Sequence, residues 1–154
     1  MNMKYFKIMI LAFAAIVLCS LPAQAFIDKY SVNRSDLPEK AQTFLNEHFP
    51  KAKVSMVKTD RHLLKKADYD VKLTNGTKIE FSSKGDWTSV DCNKREVPSA
   101  LILKKIRTYV KKNFPDAIVV KVDKKSLNFE IELNNGVELK FDRLGTFKSM
   151  KTDD

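Results

Sequence analysis

Tyr69-Asp70-Val71-Lys72-Leu73-Thr74-Asn75-Gly76 returns sixty positions later as Phe129-Glu130-Ile131-Glu132-Leu133-Asn134-Asn135-Gly136. The match carries on: Lys78-Ile79-Glu80-Phe81 becomes Glu138-Leu139-Lys140-Phe141, and Gly85-Asp86-Trp87 becomes Gly145-Thr146-Phe147. In each copy apolar residues alternate with polar ones at period two on both sides of Asn-Gly, which spells a β-hairpin. Asn and Gly both tolerate positive φ, so the pair predicts a tight turn at each site. Two copies at a fixed offset predict a tandem architecture.

Outward from the hairpins the duplication continues. Phe49-Pro50 returns as Phe114-Pro115, now at an offset of sixty-five, and Ala41, Phe44 and Leu45 meet Ile106, Tyr109 and Val110. A first helix is expected from Ser35-Asp36-Leu37-Pro38-Glu39, with Asp36 as cap, Glu39 completing a capping box and Pro38 early, where its missing N–H costs nothing. Pro50 stops it. The second helix is expected from about Pro98 to Asn113, with Ile102, Ile106, Tyr109, Val110 and Asn113 inward and Lys104, Lys105, Lys111 and Lys112 outward. A first strand follows each Phe-Pro, at 52–58 and 117–123, and a fourth closes each copy at 87–92 and 147–151. The drop in offset leaves five extra residues within 59–68, a charged loop holding Arg61, His62, Lys65 and Lys66.

The expected fold is therefore α+β: a tandem repeat of helix plus four-stranded antiparallel sheet, the two units side by side as a curved sheet backed by helices. Its divisions are a signal peptide (1–25), a mobile lead-in (26–34), and repeats at 35–95 and 96–154. Tyr69, Val71, Leu73, Ile79 and Phe81, with Phe129, Ile131, Leu133, Leu139 and Phe141, should face the helices. The other face then carries Asp70, Lys72, Lys78, Glu80, Glu130, Glu132, Glu138 and Lys140, a candidate binding surface. Trp87 is ambiguous. Alternation counted back from Val90 and Cys92 puts it on the open face as an interface anchor. A bulge after Gly85 would instead turn Trp87 and Phe147 inward.

At this point the chain resembles the PepSY-like proteins of the β-lactamase-inhibitor-like group, small exported proteins of Bacteroidetes type. The likeness rests on His48-Phe49-Pro50, Tyr69-Asp70-Val71, Asn75-Gly76, Ile79-Glu80-Phe81, Gly85-Asp86-Trp87, Val90-Asp91-Cys92, Val97-Pro98, Tyr109-Val110 and Phe114-Pro115. It implies a curved sheet backed by helices, and in the inhibitor relatives the concave face grips an enzyme. It implies no catalytic residues here.

Lys4 and Lys7, an apolar run from Ile8 to Leu18, and Pro22-Ala23-Gln24-Ala25 describe a secretory signal, too short in its apolar part to span a bilayer comfortably. Cleavage after Ala25 would lower the net charge from +9 to +7, since residues 1–25 hold two lysines and no acid. An exported basic chain points to an envelope protein or an anionic envelope component as partner, and away from nucleic acid. Cys92 is then left without an intramolecular disulfide partner; such a thiol could be reactive or pair between chains, but a buried, small hydrophobic role suits it better.

Catalytic chemistry finds little footing. His48 and His62 are the only histidines, with no nucleophile motif beside either. Three His or Cys side chains scattered through the processed chain make no zinc pattern. Calcium is the one cofactor for which a fragment exists, Asp142 to Gly145, although such residues usually just build turns. Two functions are thus expected in order: a non-enzymatic, inhibitor-like binding module working through the open sheet face, and a calcium- or small-ligand-binding sensor.

Overall fold

The computed structural model describes residues 28–60 and 68–152. The expected signal peptide and the loop residues Arg61, His62, Lys65 and Lys66 lie outside the described residues. Among the described residues nine strands form one antiparallel sheet in chain order, so each strand's neighbours in space are its neighbours in sequence. They are β1 (Lys29–Ser31), β2 (Val54–Asp60), β3 (Asp68–Leu73), β4 (Lys78–Phe81), β5 (Trp87–Asp91), β6 (Val119–Lys124), β7 (Asn128–Leu133), β8 (Val137–Asp142) and β9 (Phe147–Thr152). Helix α1 (Glu39–His48) precedes β2, and α2 (Lys104–Asn113) precedes β6. The chain is thus α+β, and β5 pairs directly with β6, Val90 opposite Val122, so one sheet runs through both halves. Within the segment expected as a lead-in, β1 adds an edge strand, Tyr30 opposite Lys58.

The two hairpins turn differently from expectation. Neither Asn75 nor Asn135 has a positive φ. Gly76 N–H donates to Leu73 C=O at 2.9 Å, and Gly136 to Leu133 at 3.0 Å, so each connection uses three residues and only its glycine is left-handed (φ +86° and +81°). The asparagines contribute through their side chains: Asn75 Oδ1 accepts from Thr77 N–H and Asn135 Oδ1 from Val137 N–H.

The helix starts differ as well. No capping box forms around Asp36, because Arg34–Asp36 closes a separate 3-10 turn and Pro38 becomes the N-cap of α1 without a side-chain bond. Sixty-five residues on, Ser99–Leu101 is again a 3-10 turn and Ile102 is extended (φ −112°, ψ 127°), so α2 begins at Lys104 rather than near Pro98. Asn113, expected on the inward stripe, is exposed and donates to Tyr109 C=O.

Both helices cover the same side of the sheet. Ala41, Phe44 and Leu45 of α1 and Ile106 and Val110 of α2 are buried against Val57, Val71, Ile79, Val90, Val122, Ile131 and Leu139, which face one another across successive strands. Each such burial contributes about 1.5–3 kcal/mol, so this row decides which face of every strand points inward. The row runs out at Met150 on β9, 52% exposed.

Candidate functional site

On the helix-free side the alternate residues of the strands make two rows of charge. One reads Lys72, Lys78, Asp91, Lys121, Glu132, Glu138, Lys151 from β3 to β9. The other reads Lys58, Asp70, Glu80, Ser89, Asp123, Glu130, Lys140, Ser149 from β2 to β9. All eight charged candidates from the hairpins fall in these rows.

Their register has a cost. Across the first hairpin Asp70 faces Glu80 and Lys72 faces Lys78. Across the second Glu132 faces Glu138, and only Glu130 faces an opposite charge, Lys140. Like charges directly opposite are destabilising, so three of these four facing pairs oppose the fold. Among the described residues Lys72, Glu132 and Glu138 form no ion pair.

Lys58, Lys78, Asp91, Lys121, Asp123, Glu130 and Lys140 on this face do form ion pairs. Lys58 Nζ lies 3.1 Å from both Asp28 and Asp60, hydrogen bonds that push its pKa upward. Desolvation, then the charges of Asp70 and Asp123, raises Glu80; desolvation also raises Asp70, against the pull of Lys58. Glu130 is held below the usual carboxylate range, chiefly by its hydrogen bond from Lys125. Burial alone would pull Lys121 down, but Asp123 beside it, at 3.2 Å, leaves it raised.

A hollow of about 210 Å³ lies over β6–β9. Its lining includes Glu130, Glu132, Glu138 and Lys140 from the expected set, together with Lys121, Asp123, Ser149 and Lys151. Alternation along β6 and β9 carried the signal for these four, but only the strand order sets them beside the second hairpin.

Trp87 is not part of this face. The ladder shifts by one residue between Glu80 and Phe81, so Trp87 pairs with Phe81 and turns to the helix side. There its ring lies 6.1 Å from that of Phe44, and Lys124 Nζ stands 5.1 Å from its centroid. The same shift before Phe141 turns Phe147 inward, stacked on Tyr109 at 4.7 Å. Of the two placements expected for Trp87, the inward turn by a bulge after Gly85 is the one that forms, and its ring packs half-buried against the core.

Residues 26–66 and 67–149 match a family described as PepSY-like and proposed to be beta-lactamase-inhibitor-like. The chain belongs to the PepSY-like family. It resembles the crystal structure of a proposed periplasmic protein of unknown function from Bacteroides vulgatus, at 34% identity over 81% of this chain and 99% of that one, TM-score 0.78. A proposed calcium-regulated periplasmic protein from Bacteroides thetaiotaomicron is 38% identical over 81% of this chain and 97% of its own, TM-score 0.77. A third, a proposed periplasmic protein of the DUF2874 family from Bacteroides vulgatus, is 39% identical over the same shares, TM-score 0.76. No curated protein matches. This PepSY-like chain is periplasmic, as these relatives are proposed to be, and no described helix is long and apolar enough to cross a membrane.

The remaining candidates for chemistry have local structural partners. Cys92 is 2% exposed and burial pushes its thiol pKa up, which disfavours the nucleophilic thiolate. The His48 ring packs 4.7 Å from Phe44. Asp142 Oδ1 accepts from Leu144 N–H at 2.9 Å and Thr146 N–H at 2.8 Å, closing its own loop. Among the described residues no three His, Cys, Asp or Glu side chains are grouped to hold a metal ion.

Proposed function

We propose that this PepSY-like chain is a non-enzymatic binding module of the periplasm that takes a protein partner, inhibitor-fashion, against its open sheet face. The like-charged facing pairs carry the reading. A face needed only for solubility is better served by alternating signs, yet Lys72–Lys78 and Glu132–Glu138 each set aside about 0.2–1 kcal/mol of stability. A partner that brings an acid to the first pair and a base to the second relieves both, and the two signs in one row fix its orientation. The hollow over β6–β9 supplies the concavity in which such a partner would seat.

The layout behind this face is, we infer, a duplicated unit of helix plus four strands, at 35–95 and 96–154. The two-step helical segment recurring at an offset of sixty-five and the hairpin recurring at sixty support it. Residues 1–25 act as a cleaved signal in this scheme, and the family match beginning at residue 26 supports that too.

A photo-crosslinking residue at Lys72 or Glu132, compared with one at Glu39 on α1, tests the surface in the living periplasm. Adducts from the sheet positions that vanish with Glu138→Lys are expected. Adducts from the helix position alone would move the interface elsewhere.

The B. thetaiotaomicron relative, proposed to be calcium-regulated, favours one second reading, calcium regulation of this chain as well. A ligand bound only by the folded form must raise the melting midpoint, so melts across a wide calcium range decide it.

A further inference from the structure

A second surface lies away from the open sheet face. Helix α2 carries five cations in ten residues, Lys104, Lys105, Arg107, Lys111 and Lys112, and no acid. All five are exposed, and among the described residues none forms an ion pair. At the N-terminal end of that helix two leucines break the surface. Leu103, its N-cap, is 38% exposed, and Leu144, in the β8–β9 loop, is 78% exposed.

The loop and the helix are in contact. A Cβ on Gly145, the residue after Leu144, would lie 3.2 Å from Lys105 Cβ and 3.5 Å from Leu103 Cδ1. Lys105 Nζ also donates to Thr146 Oγ1 at 2.8 Å. Arg143 and Lys148 flank the loop in sequence, Lys148 3.6 Å from Asp142.

The first half serves as an internal control. At the matching positions it has Lys84 for Leu144, Pro38 for Leu103, Glu39 for Lys104 and Glu47 for Lys112. The same backbone elements form there without the leucines and without the excess of cations. Folding therefore demands neither.

We propose that this end of the second half docks on an anionic phospholipid surface. Leu144 and Leu103 enter the interface between headgroups and acyl chains, while the α2 cations lie over the phosphates. Exposed apolar side chains ringed by lysine and arginine have the composition of an interfacial anchor, each cation adding attraction within a Debye length of the charged surface. An acidic soluble partner would complement the cations but would leave a protruding leucine at the loop tip without an apolar medium to enter.

Sedimentation of the periplasm-purified protein with vesicles tests this. Binding to vesicles of phosphatidylglycerol mixed with phosphatidylcholine, and none to phosphatidylcholine alone, is expected. Leu144→Asp and the pair Lys104→Glu with Lys111→Glu should each weaken it by about tenfold or more. Lys84→Glu, the same charge reversal on the first half's loop, should leave it within about twofold, with circular dichroism checking that every variant is folded. The proposal is overturned by no lipid-dependent sedimentation, by an equal loss in Lys84→Glu, by full retention in Leu144→Asp, or by binding to a soluble polyanion with none to vesicles.

Discussion

A Cβ placed on Gly85 would stand 2.9 Å from the Cβ of Pro38, and 3.0 Å from the backbone nitrogen of Ala41. The β4–β5 loop is therefore seated on the first turn of α1 with no room for a side chain. Gly76 has a similar φ, +86° against +80°, but nothing within 4 Å of its absent Cβ. Gly76→Ala should cost only the backbone strain, about 1–2 kcal/mol. Gly85→Ala adds overpacking, for a total of about 2–5 kcal/mol. Urea unfolding of both variants measures the difference, and equal costs would mean the loop is not seated on the helix.

The facing charges predict a trade between stability and binding. Lys72→Glu replaces the repelling pair with Lys78 by an attracting one, its other facing neighbour being the uncharged Met56, and should raise unfolding free energy by about 0.5–1 kcal/mol while weakening capture of the partner. A variant of raised stability that captures the partner as well as the parent does would contradict the use proposed for this face.

Trp87, the single tryptophan, now belongs to the helix side. Trp87→Phe should leave open-face crosslinking intact. Trp87→Ala should cost about 2–3 kcal/mol, below the 3–5 kcal/mol of a fully enclosed aromatic because the ring is only half-buried. Loss of partner capture in the folded phenylalanine variant would return the ring to the interface.

Acid should act on the two kinds of carboxylate with opposite sign. Glu80 is raised, first by desolvation, so its ionised form opposes folding, and the penalty sets in as pH rises through the raised value. Glu80→Gln should therefore be the more stable protein at neutral pH, its advantage fading below the ordinary carboxylate range. Asp142 is lowered, first by the N–H of Thr146, so its contribution is present above the ordinary carboxylate pKa and is lost as pH falls through the lowered one. Asp142→Asn should be the weaker protein at neutral pH and converge with the parent in acid. Urea midpoints taken from neutral pH downward read both, and a shared sign would refute the assignment.

Burial of Cys92 predicts silence toward thiol reagents. Ellman's reagent should leave the native protein untouched and react only as urea unfolds it, with the labelled fraction tracking the loss of helical signal. Fast native labelling would place the thiol at the surface.

The inward residues Val71, Ile79, Ile131 and Leu139 were readable from alternation, because burial rewards one face of a strand along its whole length. The open face was readable by the same rule in reverse, so Lys72, Glu80, Glu132 and Lys140 stand where expected. The rule failed where the ladder slips. Plain alternation misplaces Trp87 there, and the bulge after Gly85, the other placement expected for it, is what sends the ring to the helix side. Helix starts were misplaced for a similar reason. Asp36 and Pro98 are sound local start signals, but each is taken up by a 3-10 turn or its cap before the helix proper.

The order of residues along the chain settled the duplicated hairpins, the sidedness of β3, β4, β7 and β8, and the family, since each depends on interactions within a few residues or on a pattern repeated whole. The three-dimensional arrangement alone decided that β5 zips to β6 into one sheet, that like charges meet at Lys72–Lys78 and Glu132–Glu138, and that Leu144 lies beside the cations of α2. Those features depend on register and on contacts between distant segments, and register follows from the summed packing of the whole core rather than from any local preference.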